Sequence, residues 1–355
     1  MMRKLFLVCL LTLGLAGLAM ALPPSDEGGP ARLSASVSVD HYQFGLDEPL
    51  AVQWSLTNDS DKPLYVLRWH TPLAGIEANI FAVSRNGQPV MYTGRLIKRP
   101  EPGPEDFIKL EPGETISTTV DISAAYDMTV RGEYTVRYRA ERLLVKESPE
   151  GPEVQALSSQ AEEARLYVEG REEGERKLEL DLSAMYVGGF TNCTNSKQST
   201  LSSALNYAVT MATNGYNYLL TYGRTSTRYR WWFDYRTDPS TTYFNTVKSH
   251  FAAIKDALAN KPVTFDCSCT QNYYAYVYPS QPYKIYLCNA FWSAPMTGRD
   301  SKAGTLVHEI SHFYVVASTD DWAYGATAAH NLAVKKPSKA IDNADNHEYF
   351  AEDSY

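Results

Sequence analysis

Ala303-Gly304-Thr305-Leu306-Val307-His308-Glu309-Ile310-Ser311-His312-Phe313 contains the pattern H-E-x-x-H. Residues four apart lie on one face of a helix, one turn from each other. His308 and His312 can therefore offer two imidazole nitrogens to one Zn²⁺. Glu309 is then placed to take a proton from a water beside that ion. Asp300 or Ser301 can cap the helix. The competing reading is an amphipathic core helix that carries two histidines by chance. With only 7 histidines in 355 residues, a chance match is on the order of one in a hundred, and the metal reading is preferred.

Working outward, the chain is too long for one ordinary core and suits two domains. Residues 1–21 read as a signal peptide: Met1-Met2-Arg3-Lys4 is basic, Leu5 to Leu18 is apolar, and Ala19-Met20-Ala21 is an A-x-A cleavage site. No other run approaches the length needed to span a bilayer. The expected product is secreted and extracellular, with no membrane association after the signal is removed. Cys9 leaves with that segment. Cys193, Cys267, Cys269 and Cys288 remain, an even number in an oxidising compartment, and read as two disulfides rather than a zinc cluster. Sequence alone allows three pairings. Formal charge is −8. Residues 185–355 hold 14 basic and 13 acidic residues, and the first 184 hold 19 and 28. No basic patch suggests nucleic acid.

Residues 22–170 show short period-two segments: Leu33 to Val39, Leu50 to Leu56, Leu64 to Trp69, Ile80 to Ser84, Thr115 to Ile122, Glu133 to Tyr138 and Ala164 to Val168. Turn signals such as Asn86-Gly87 and Glu111-Pro112-Gly113 separate them. This predicts an all-β, immunoglobulin-like sandwich. His41 and His70 are isolated there and read as structural or solvent-facing. Residues 171–184 read as a charged linker, a place where a prosegment could be cut. From 185 to 355 the pattern becomes mixed. Ser203 to Tyr222 and Thr241 to Asn260 have helical stripes, Lys261-Pro262 stops the second, and Val263 to Cys269, Tyr274 to Val277 and Lys284 to Cys288 read as strands. Gly325 to Val334 and Asp345 to Glu352 suggest further helices. The expectation is an α+β zincin-type domain.

Two zinc arrangements fail for want of residues. A metzincin needs glycine and histidine where this chain has Val315 and Ser318, and a gluzincin needs a glutamate where none occurs between Glu309 and Glu348. Asp320 or Asp321 could turn back as a carboxylate ligand, and spacing does not choose between them. The ordinary alternative is an acidic turn after a helix. His330 reads as a lone exposed histidine. Asp345 and Glu348, three apart, read on their own as a helix capping box.

Gly304-Thr305-Leu306-Val307-His308-Glu309-x-Ser311-His312-Phe313, followed by Thr319-x-Asp321-x-x-Tyr324-Gly325, resembles the aspzincin (deuterolysin-type) metalloendopeptidases. It is especially similar to the peptidyl-Lys enzymes. Phe265-Asp266-Cys267-x-Cys269, Tyr286-Leu287-Cys288 and Asn343-Ala344-Asp345-Asn346-His347-Glu348-Tyr349-Phe350 agree, and the match spans most of residues 190–355. The resemblance implies one Zn²⁺ per chain held by His308, His312 and Asp321, with Glu309 as general base and Tyr324 beside the developing oxyanion. It implies disulfides Cys193–Cys267 and Cys269–Cys288, and an S1′ pocket in which Asp345 and Glu348 receive a lysine ammonium. Ser318 departs from the family's usual glycine, at a position whose backbone can require φ > 0.

These readings predict a monomeric secreted zinc endopeptidase that acts on polypeptides on the amino side of lysine. The enzyme would be made with residues 22–170 as an intramolecular inhibitory prodomain and cut before Lys177. A broader, deuterolysin-like specificity is one alternative. A secreted binding or adhesion protein with a structural metal site is another, and that would need a fourth protein ligand and no general base.

Overall fold

The computed structural model describes residues 30–45, 48–158, 163–172 and 188–354. The signal-peptide reading and the Lys177 processing site lie outside the described residues. The described residues form an N-terminal β-rich part and a C-terminal part of helices around a small sheet, each with its own hydrophobic cluster.

In the N-terminal part the alternation seen in the sequence becomes burial. Strand Arg32–Ser38 turns Leu33, Ala35 and Val37 inward, and strand Ala51–Asn58 turns in Val52, Trp54 and Leu56. The two pair antiparallel with Val37 opposite Trp54. Ala51–Asn58 also pairs with Thr115–Asp121, and Gly132–Tyr138 pairs with both Phe81–Arg85 and Ala164–Val168. Asn86 and Gly87 take φ of 48° and 78°, the left-handed geometry of a two-residue hairpin, so Arg85 meets Gln88 directly. Trp54, Phe81 and Tyr138 pack edge to face across the core. A smaller sheet joins Leu64–Leu67 to Phe107–Leu110 and Val145–Lys146. It carries Trp69 and Arg142 toward the C-terminal part.

The C-terminal part begins with a longer helix than the periodicity alone suggests. Helix Asn195–Tyr222 starts eight residues before Ser203, because Thr194 caps it through a bond from Lys197 N. Helix Thr241–Asn260 packs on it through Val247, Phe251 and Ile254, and Ser240 caps it. The sheet runs Phe190–Thr191, Thr264–Asp266, Lys284–Leu287, Ala275–Val277, and then Leu96–Lys98. That last strand comes from the N-terminal part. Cys193–Cys267 and Cys269–Cys288 are bonded, the pairing the resemblance implies. Among the described residues no helix is long and apolar enough to cross a membrane.

Helix Lys302–His312 is buried along its whole length and packs against the C-terminal helix Ala344–Glu352. Gly304 makes the close approach possible. A Cβ there would lie 2.1 Å from Glu352 Oε1 and 3.0 Å from Glu348 Oε1. Ser301, not Asp300, is the cap: its Oγ accepts from Gly304 N at 2.9 Å and donates to Glu352 Oε1 at 2.8 Å.

Candidate metal centre

The buried motif helix aims His308 and His312 at one point. The chain after it must turn back to complete a site, and the turn is held by short polar bonds. Ser311 Oγ donates to the His308 carbonyl at 2.6 Å and lies 2.6 Å from Thr319 Oγ1. Thr319 N donates to the Ser311 carbonyl at 3.1 Å. Ser318 takes φ 57°, the left-handed conformation expected at that position. The two aspartates that follow then face opposite ways. Asp321 Oδ1 lies 3.3 Å from His308 Nε2 and 3.6 Å from His312 Nε2. Asp320 turns to the N-terminal part, where Arg142 grips it with two bonds of 2.7 and 3.0 Å and Asn79 Nδ2 adds a third at 3.0 Å. The two neighbours therefore differ in the partners each one finds, the histidines for Asp321 and Arg142 for Asp320.

His308, His312 and Asp321 are buried, and their ligand atoms lie within 4.8 Å of one another. Among the described residues, His308 Nε2, His312 Nε2 and both Asp321 carboxylate oxygens have no hydrogen-bond partner. Buried polar atoms left unpaired cost free energy unless something unseen satisfies them. Two imidazoles and a carboxylate converging in this way form the donor set of a three-ligand zinc site, so the residues fit the ion the motif implies.

The remaining nitrogens are oriented by groups the sequence did not reveal. His312 Nδ1 lies 2.9 Å from the Thr319 carbonyl, which fixes the tautomer that leaves Nε2 free as a ligand. His308 Nδ1 lies 2.9 Å from Asp345 Oδ1 and 3.2 Å from Glu348 Oε2. These carboxylates are not a capping box. Asn343 occupies the N-cap of helix Ala344–Glu352, and Asp345 Oδ2 instead accepts from Gly325 N at 2.8 Å. Glu309 is fully buried, and among the described residues both its oxygens are unpaired; burial pushes its pKa up to about 8, with His308 and Lys98 opposing and Asp321 and Glu348 adding to the rise. Tyr324 is raised well above the usual tyrosine range by burial and by Asp321, so its hydroxyl remains a donor. Its ring packs edge-on to Trp69 at 6.0 Å, in a cluster with Leu67 and Phe107.

Asp345 and Glu348 have a second neighbour. Lys98 of the N-terminal part lies with Nζ 2.6 Å from Glu348 Oε2, 3.6 Å from Asp345 Oδ1 and 3.4 Å from Asp300 Oδ1. Burial opposes its charge, and Asp345, Glu348 and Asp300 overcome it and raise its pKa well above normal. His330 is remote from this cluster, stacked on Trp231 at 3.8 Å. His70 is buried in the N-terminal part, where its Nδ1 accepts from Leu144 N.

A family profile described as lysine-specific metallo-endopeptidase matches residues 218–352. An extracellular protease of Aeromonas hydrophila is 42% identical over 349 residues, covering 96% of both chains. The chain belongs to the aspzincin metalloendopeptidases. A peptidyl-Lys metalloendopeptidase of Armillaria mellea is 36% identical over 317 residues, covering 86% of this chain and 88% of its own. Another, from Pleurotus ostreatus, is 44% identical over 166 residues, 46% of this chain and 96% of its own. As an aspzincin, this protein is a zinc metalloendopeptidase and a peptide hydrolase. The two histidines and Glu309 were legible from the motif. Thr319 stood in the quoted pattern without a role and Asp300 only as a possible helix cap, while Arg142 and Lys98 were not singled out, because no local pattern marks them.

Proposed function

We propose that this aspzincin is a secreted, monomeric endopeptidase that cleaves on the amino side of lysine and is made as a proenzyme. In this reading one zinc ion is held by His308, His312 and Asp321. The observation that carries it is the set of unpaired buried donor atoms on those three residues beside an unpaired Glu309. Bound zinc would supply Lewis acidity toward the scissile carbonyl and toward water. Glu309 accepts the proton of the attacking water and returns it to the leaving amine. Its carboxylate, buried beside the donor atoms and without a hydrogen-bond partner among the described residues, is free to take that proton and to give it up again. Tyr324 donates a hydrogen bond to the oxyanion as it forms. Asp345 and Glu348 receive the lysine ammonium at P1′, a role supported by the ammonium of Lys98 already between them.

Residues 22–170, as an immunoglobulin-like sandwich, act as the prodomain and intramolecular inhibitor, residues 171–184 are the linker, and residues 185–355 are the catalytic domain. Cleavage before Lys177 separates them. The Pleurotus relative supports this division, since 166 aligned residues make up nearly all of its length. The extracellular relative and the expected signal peptide support secretion.

Digestion of a denatured protein by the processed enzyme, with Glu309→Gln as control, tests the reading. Cuts confined to bonds preceding lysine are expected, and frequent cuts elsewhere point to a broader deuterolysin-like specificity. A Glu309→Gln precursor that is still cut before Lys177 in pure form excludes self-processing.

A further inference from the structure

Strand Leu96–Lys98 belongs to the N-terminal part by sequence and to the catalytic sheet by hydrogen bonding. It pairs antiparallel with strand Ala275–Val277, Lys98 opposite Ala275, Ile97 opposite Tyr276 and Leu96 opposite Val277. Tyr274 N donates to the Lys98 carbonyl at 3.0 Å. Adding an extended segment to a sheet edge holds a peptide through its backbone, whatever its sequence, and leaves selectivity to side-chain pockets. The Lys98 side chain enters such a pocket. It is fully buried, its Nζ touches Glu348, Asp300 and Asp345, and it lies 5.0 Å from the centre of the Tyr274 ring. Asp300 is itself fixed, since Tyr349 Oη donates to its Oδ1 at 2.8 Å. Asp345 and Glu348 also border His308, so the same two carboxylates touch both the ammonium and the first histidine of the motif helix.

We propose that residues 96–98 occupy the cleft as a substrate segment does. Lys98 stands in for the substrate lysine, and Asp300 is a third carboxylate of the lysine pocket. This rests on the reading of Asp345 and Glu348 as the P1′ pocket. The N-terminal part inhibits by competition, and the physical reasons are specific. A buried ammonium is costly unless it is paired, and so are carboxylates crowded together in a dry site, so each satisfies the other. Because the segment is tethered, it competes at the high effective concentration of an intramolecular ligand. Two further contacts hold the same strap down: Arg142 on Asp320, and Trp69 against Tyr324. Cutting the chain between the two parts turns this closure into a bimolecular one, which dilution then reverses.

The test uses the full chain in a Glu309→Gln background, which keeps it intact. Binding of a fluorescent lysine-containing peptide is measured with and without Lys98→Ala. At least a tenfold gain in affinity is expected for Lys98→Ala, with a further several-fold loss when Asp300→Asn is added. n-Butylammonium chloride should raise the melting temperature of the Lys98→Ala chain and leave the Lys98 chain unmoved. Lys98→Met keeps the apolar stem and replaces Lys98→Ala if that variant does not fold. Equal, weak peptide binding by folded Lys98 and variant chains overturns the substrate-like role, and no effect of Asp300→Asn removes Asp300 from the pocket. If the processed enzyme cuts without regard to lysine, the reading of the pocket itself fails. If it cuts before lysine while the Lys98 variants still exclude the peptide, only the present inference fails.

Discussion

The two faces that meet over the motif helix carry charges opposite to those of the segments that supply them. Residues 1–184 hold 19 basic and 28 acidic residues, yet the face they present to the cleft offers Lys98, Arg99 and Arg142. Residues 185–355 hold 14 basic and 13 acidic residues, yet they answer with Asp300, Asp320, Asp345 and Glu348. Net charge describes solubility and long-range attraction. A buried contact is decided by the few groups that lose water, and each of these needs a specific partner. Arg142 illustrates this: it bonds both Asp320 oxygens and the Asp321 carbonyl, and stacks at 3.9 Å over Trp322. Such pairs add little net stability compared with apolar packing, but breaking one partner is expensive. The basic face therefore meets the acidic one in a defined register, set by these few pairs.

The largest test asks whether the chemistry belongs to the C-terminal face alone. Glu309→Gln in the processed enzyme is expected to lower kcat/KM about 10³-fold, measured on a lysine-containing peptide, with metal content unchanged. Residual activity near wild type would move the acid–base role elsewhere.

The adjacent aspartates give the next comparison. Asp320→Asn should cost the full chain about 3–5 kcal/mol by thermal or denaturant unfolding, because Arg142 is left buried without its charge partner. Its metal content by mass spectrometry should not change. Asp321→Asn should do the reverse, with lost metal and an intact Arg142 contact. If both variants lose metal equally, the division of labour between them is wrong.

His70 tests the basic face by pH. Burial, then Arg142 and Arg99, lowers its pKa to about 3 from an ordinary 6.5. The unfolded chain thus takes up the proton first as pH falls. The stabilising contribution is fully present above about pH 6.5 and is lost progressively toward pH 3. By pH 5 the loss from this group is about 2 kcal/mol. Unfolding free energies of the full chain and of His70→Gln, compared between pH 7 and 5, check it, and equal slopes would remove His70 as the cause. The smallest effect lies in the turn after the motif helix. Ser318→Gly should raise stability by about 1 kcal/mol, since Ser318 is held at φ 57°. A melting temperature that does not rise would show that the turn stores no such strain.

The strands around Leu33, Val52, Trp54 and Val136 were readable because one side of each faces a core, which imposes alternation on the sequence. The motif helix, its two histidines and Glu309 were readable because helix geometry ties spacing to a common face. The disulfide pairing and Asp321 needed the resemblance as well, since spacing leaves three pairings and two adjacent aspartates open. The structure shortened the strand expected over Val263 to Cys269 to Thr264–Asp266 and moved the start of the first helix to Asn195, where a cap rather than a stripe sets the boundary. By itself, then, the sequence determined local periodicity and a chemistry carried by residues within one helical turn. Only the tertiary structure decided which aspartate faces the histidines, which carbonyl orients His312, and that a lysine some 250 residues before Asp345 and Glu348 lies between them. Those outcomes depend on contacts between distant segments, where a side chain's role follows from the partner that replaces its water and no local pattern records it.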